Sequence, residues 1–119
     1  MIIRNNDLPR EDIEGYAGGQ GVLKFTTLVP TELLKDEAKL FKVIRFQPGA
    51  GLGEHAHVDN FEVYYILDGH GIAVDDGKEV AVTTGDVVYT ADGASHSIRD
   101  AGDGDLVMLA CVIYENKAE

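Results

Sequence analysis

The stretch Gly49-Ala50-Gly51-Leu52-Gly53-Glu54-His55-Ala56-His57-Val58-Asp59-Asn60-Phe61-Glu62-Val63-Tyr64-Tyr65-Ile66-Leu67-Asp68-Gly69 decides how this chain is read. Phe61 to Leu67 is a run of aromatic and β-branched residues between two turn signals, which predicts a strand. His55 and His57 are separated by one residue, so on a strand they project from the same face. Val58-Asp59-Asn60 is a turn that lets Glu62 face them from the neighbouring strand. Glu54, next to His55, is expected to point away from it, either into solvent or as a group supporting the ligands from behind. The glycines from Gly49 to Gly53 have the wrong spacing for a dinucleotide fingerprint and lack the Lys-Ser/Thr of a phosphate loop, so nucleotide binding there is rejected.

Outward from this stretch the chain is a series of short apolar runs separated by glycine and aspartate. Val22 to Val29 reads as a first strand stopped by Pro30, and Thr31 to Ala38 could hold a turn or two of helix with Thr31 as its N-cap. Leu40–Phe46, Gly71–Val74, Glu79–Val82, Asp86–Thr90, His96–Arg99 and Leu106–Tyr114 complete the strands. The fold class is therefore all-β, a sandwich or barrel with at most one short helix. Asp76-Gly77 supplies the positive-φ pair of a type I′ hairpin turn. Leu106 to Ile113 is apolar on both faces, which predicts a central strand or an oligomer interface, with Cys111 a small buried hydrophobe.

The 119 residues, 45% of them hydrophobic, suit a single domain spanning 1–119, with an N-terminal arm over about 1–20 and a barrel over about 21–115. Ten Lys and Arg against 21 Asp and Glu leave a formal charge of −11, which argues against nucleic acid and anionic membranes as partners. With Cys111 as the one cysteine, neither an intrachain disulfide nor a cysteine zinc site can form. Met1 to Asp7 turns polar within four residues and no apolar run approaches a membrane span, so a cytoplasmic location is expected.

His96 follows the turn Ala91-Asp92-Gly93-Ala94-Ser95, which could bring a third imidazole to His55, His57 and Glu62. Three neutral imidazoles and one carboxylate suit a divalent first-row metal, Mn, Fe, Ni, Co or Zn. The fourth histidine, His70, lies outside this set and is expected to be an exposed turn residue.

The spacing resembles the cupin family. Its first motif matches Gly49, His55, His57, Glu62 and Gly69, and its second matches Gly85, Gly93 and His96, with Ala91 in place of the family's proline and Asp100 in place of its asparagine. The resemblance implies a double-stranded β-helix, or jelly-roll-like barrel, with His55, His57, Glu62 and His96 as metal ligands. It also implies a homodimer, since cupin barrels commonly pair.

Such a site carries a net charge of +1, which favours a small anion such as a carboxylate, keto acid, enediol or sugar derivative. An octahedral metal with four protein ligands keeps two positions open, whereas tetrahedral zinc is filled by the same four. The resemblance thus implies either a metal-dependent decarboxylase, dioxygenase or isomerase, or a non-catalytic ligand-binding or sensing protein. No catalytic residue is assigned. Alternation from Glu62 and His96 places Tyr64, Ile66 and Ile98 on the interior face as candidate pocket residues.

Overall fold

Period-two alternation sorts the side chains of this protein into a buried layer and an outer one. The computed structural model describes residues 1–115. Its strands are β1 (Arg10–Glu14), β2 (Val22–Thr27), β3 (Ala38–Phe46), β4 (Gly51–Ala56), β5 (Asn60–Asp68), β6 (His70–Asp75), β7 (Lys78–Thr83), β8 (Val87–Thr90), β9 (Ser95–Asp100) and β10 (Leu106–Tyr114), with an α-helix, α1 (Thr31–Leu34), before β3 and single 3-10 turns at Asn5–Asp7 and Tyr16–Gly18. A six-stranded sheet in the order β1-β2-β3-β10-β5-β8 packs on a four-stranded sheet in the order β4-β9-β6-β7, and the strand pairs are antiparallel. The fold is all-β and jelly-roll-like. Among the described residues no helix is long and apolar enough to cross a membrane.

The core lies between the sheets. Leu23 and Phe25 of β2, Ile44 and Phe46 of β3, Tyr64 and Ile66 of β5, and Leu106, Met108 and Ala110 of β10 meet Leu52, Ala73 and Ile98 from the smaller sheet. Each large apolar side chain buried there contributes about 1.5–3 kcal/mol relative to exposure. β10 is the central strand, paired with β3 on one side and β5 on the other. Its even residues face the core, while Leu109, Cys111 and Ile113 are only partly buried on the opposite face. Cys111 is thus half-buried on the outer face of the sheet rather than in the core.

Three local features differ from the sequence expectation. The helix covers only Thr31–Leu34, because Lys35 (φ 57°) and Asp36 (φ 60°) adopt left-handed backbone and end it; Pro30, not Thr31, occupies the N-cap. β1 forms within the stretch expected to be an arm, pairing Ile13 with Leu23 and Glu11 with Phe25. The strand expected to carry both His55 and His57 begins within the glycine run, at Gly51, and ends at Ala56, so His57 lies just beyond it. At the hairpin between β6 and β7, Asp76 (φ 50°) and Gly77 (φ 87°) hold the positive-φ pair of a type I′ turn.

Candidate metal centre

Each of the four candidate ligands reaches the interior by its own route. His55 on β4 sits directly opposite His96 on β9, within the smaller sheet. Glu62 on β5 faces them from the larger sheet, where it pairs with Thr90 of β8. His57 is positioned by a loop pairing: its N–H donates to the Ala94 carbonyl at 3.1 Å, and Gly93 N–H donates back to the His57 carbonyl at 2.8 Å. The left-handed backbone of Asp92 (φ 59°) and Gly93 (φ 79°) turns the chain for that pairing. Asp100, in place of the family's asparagine, is buried and accepts from Gly49 N–H at 3.0 Å and Gly102 N–H at 3.2 Å. That carboxylate ties the start of β4 to the end of β9.

The donor atoms converge. His55 Nε2 lies 2.8 Å from His96 Nε2, and His57 Nε2 lies 3.1 Å from it. Glu62 Oε1 stands 3.4, 2.8 and 2.9 Å from the Nε2 atoms of His55, His57 and His96. All four donors lie within 4.8 Å of one another. Neighbouring ligands at right angles around a metal with bonds of about 2.1 Å are ~3.0 Å apart, so the spacing fits a bound divalent ion.

Hydrogen bonding on the far side of each ring sharpens that fit. His55 Nδ1–H donates to the Gly53 carbonyl at 2.8 Å, and His57 Nδ1–H donates to Asn60 Oδ1 at 2.6 Å. His96 Nδ1 pairs with Thr90 Oγ1 at 2.7 Å. With the Nδ1 hydrogens engaged, neutral rings turn their Nε2 lone pairs toward one another and toward a carboxylate. Acceptors crowded in this way repel unless a cation or added protons lie among them. The sequence reading passed over Asn60 and Thr90. Asn60 shares parity with Glu62, but Thr90 becomes legible only once β5 and β8 are paired.

The electrostatics follow from burial and this crowding. Burial would raise the Glu62 carboxyl, but with the rings protonated, as they are at low pH without a cation, hydrogen bonds from His55 and His96 and the charges of His96 and His57 hold it at about 2. Burial lowers His96, outweighing the hydrogen bond and charge of Glu62. For half-buried His55, burial works downward, yet contacts with Glu62 and the Gly53 carbonyl prevail and raise it, while Lys39 opposes. Tyr64 stacks on His96 at 4.8 Å with its hydroxyl 3.2 Å from Nε2; burial and the Glu62 carboxylate push that hydroxyl well above its ordinary range.

The cluster opens into a cavity of about 410 Å³, walled by Tyr16, Phe25, Leu40, Leu52, Tyr64 and Val112, with Asn60 and Lys39 also at its surface. Tyr64 lies where parity puts it. Ile66 and Ile98 share its face but are buried in the core and do not line this cavity, because alternation fixes the face of a residue and not its depth. Glu54 is exposed and accepts from Ser95 Oγ at 2.9 Å, away from the cluster. His70 is exposed at the first position of β6 with Nδ1 2.9 Å from Thr83 Oγ1, so it too stands apart.

Residues 42–112, more than half of the chain, match the family model described as a cupin domain. The chain belongs to the cupin family. This cupin is 39% identical over 113 residues to an oxalate-binding protein of Thermotoga maritima, a match covering 95% of the chain and 93% of that protein. A T. maritima crystal structure described as a predicted oxalate decarboxylase is 38% identical, with a TM-score of 0.91 over 96% of this chain and 99% of that one. The structure of KdgF from Halomonas sp., 15% identical with a TM-score of 0.74 over 97% of this chain and 96% of its own, shares the fold alone.

Proposed function

We infer that this cupin holds one divalent metal through His55, His57, Glu62 and His96 and binds a small carboxylate against it. One observation carries the reading: three imidazole Nε2 atoms and Glu62 Oε1 converge while each Nδ1 has its own partner. The metal would act as a Lewis acid toward an oxygen donor. Similarity to an oxalate-binding protein supports oxalate or a close analogue as ligand. Around it, Tyr64 and Tyr16 present hydroxyls kept protonated by burial and by the nearby Glu62 carboxylate, suited to donating hydrogen bonds to carboxylate oxygens.

The reading is tested by metal analysis of purified protein and by calorimetric titration of the Mn-loaded chain with oxalate. Stoichiometric metal and oxalate binding that vanishes with chelator are expected; oxalate binding undiminished without metal would refute it. His57→Ala should lose the metal while keeping its β circular dichroism, and full metal occupancy in that variant would contradict the ligand set. A second reading, turnover of the bound acid, draws on those same protonated hydroxyls as proton donors. Incubating oxalate with the Mn-loaded protein in air and assaying formate, CO₂ and peroxide decides it: unchanged oxalate leaves a binding protein, and product identifies an enzyme.

The outer face of the six-stranded sheet supports a homodimer. Val43, Leu109, Tyr65 and Val87 form one cross-strand row on it, and Phe41, Cys111, Val63 and Tyr89 form the next. Tyr65 (42%), Val87 (59%) and Tyr89 (58%) are exposed in the isolated chain, an apolar surface suited to isologous pairing. Light scattering should report a dimer that Leu109→Asp dissociates; a monomeric wild type at micromolar concentration would remove this assignment.

A further inference from the structure

A positive charge borders the cavity besides its candidate metal site. On β3, Leu40 pairs with Val112 and Ala38 with Ile113, so Lys39 is an extra residue without a partner on β10. Regular alternation would turn Lys39 outward with Phe41 and Val43, onto the apolar outer face. The bulge breaks the alternation, and Leu40 and the exposed Lys39, adjacent in the chain, both line the cavity, with Lys39 at its solvent side. Lys24, Arg45 and Arg99 each pair with a carboxylate, at 3.1, 3.2 and 3.5 Å. Among the described residues Lys39 has no such partner within 4.0 Å.

Charge arithmetic then points to a ligand class. A divalent ion, one Glu62 carboxylate and three neutral imidazoles sum to +1, and Lys39 brings the cavity to +2. Glu62 is the one carboxylate among the residues lining it, and the tyrosine hydroxyls carry no charge at neutral pH. A dianion neutralises this set and a monoanion leaves it charged. Resting on the metal-site reading above, we propose that Lys39 is the specificity-determining residue that selects dianions, its ammonium pairing with the oxygens of a small dicarboxylate that the metal leaves free.

The test uses the full-length Mn-loaded protein, titrated calorimetrically with two dianions, oxalate and malonate, and with the monoanionic chelator glycolate. Lys39→Met keeps the apolar stem and removes the charge. It should weaken dianion binding by about tenfold, the scale of one charge-assisted hydrogen bond, while glycolate stays within about twofold and metal content is unchanged. Lys39→Arg should restore most of the dianion preference, and that preference should shrink as salt is raised. An unaltered ratio of dianion to glycolate affinity in Lys39→Met overturns the Lys39 assignment while the metal-site reading survives. A wild type that retains no Mn, or takes up Mn yet binds none of the three acids, removes that reading and this one with it.

Discussion

Replacing Gly53 with alanine should push away one wall of the cavity, at a residue whose carbonyl also holds the His55 ring. A Cβ built on Gly53 falls 2.0 Å from the Ala17 carbonyl oxygen, 2.7 Å from its carbon and 2.8 Å from Gly19 N. The contact is reciprocal, since a Cβ on Gly19 falls 2.1 Å from the Gly51 oxygen. These obstacles are backbone atoms that no rotamer change can move, so the segments must part by roughly 1.4 Å to reach ordinary contact. That segment carries Tyr16, whose ring packs on Phe25 at a centroid distance of 5.0 Å. Overpacking of this kind costs about 1–3 kcal/mol, or a fall in Tm of roughly 4–15 °C for a domain near this size. The assay is urea denaturation followed by circular dichroism, with Gly104→Ala as control. A Cβ on Gly104 meets nothing within 4 Å, so that variant should stay within about 0.5 kcal/mol of wild type. Equal stability of Gly53→Ala and Gly104→Ala would refute the argument that backbone contact docks this wall.

Two further outcomes follow from the centre itself. Asn60→Ala and Thr90→Val, which strip the Nδ1 partners of His57 and His96, should lower metal affinity by about 10–100-fold in competition with a chelator; unchanged affinity would show that the rings are oriented by packing alone. Glu62 is held at about 2 against an ordinary 4.5, so in the metal-free protein its contribution to stability is complete above pH 4.5 and is lost as pH falls through about 2. Urea midpoints should therefore drop more steeply between pH 5 and 2 in wild type than in Glu62→Gln, and parallel curves would contradict the sign.

Spacing and alternation carried the barrel and the candidate ligands because both are one-dimensional signals. The single residue between His55 and His57 sets a shared direction, and the even positions of β5 and β10 name the inner face before any strand is paired. What the chain folds back onto itself is absent from such a signal. Thr90 meets His96 only because β8 lies beside β5, and Tyr16 enters the cavity only because two glycine-bearing backbones approach closely. Lys39, though exposed, borders the cavity only because β3 slips by one residue against β10. Ile66 and Ile98 show the same limit from the other side: parity states which face a residue takes, and its depth is decided by the strand packed over it. The amino-acid sequence by itself determined the alternating strands and the close spacing of His55 and His57, which are local, and its resemblance to the cupin motifs added Glu62 and His96 as partners. Only the tertiary structure decided what walls the cavity and which charge it presents, since these depend on register, a bulge and contacts between residues far apart in the chain.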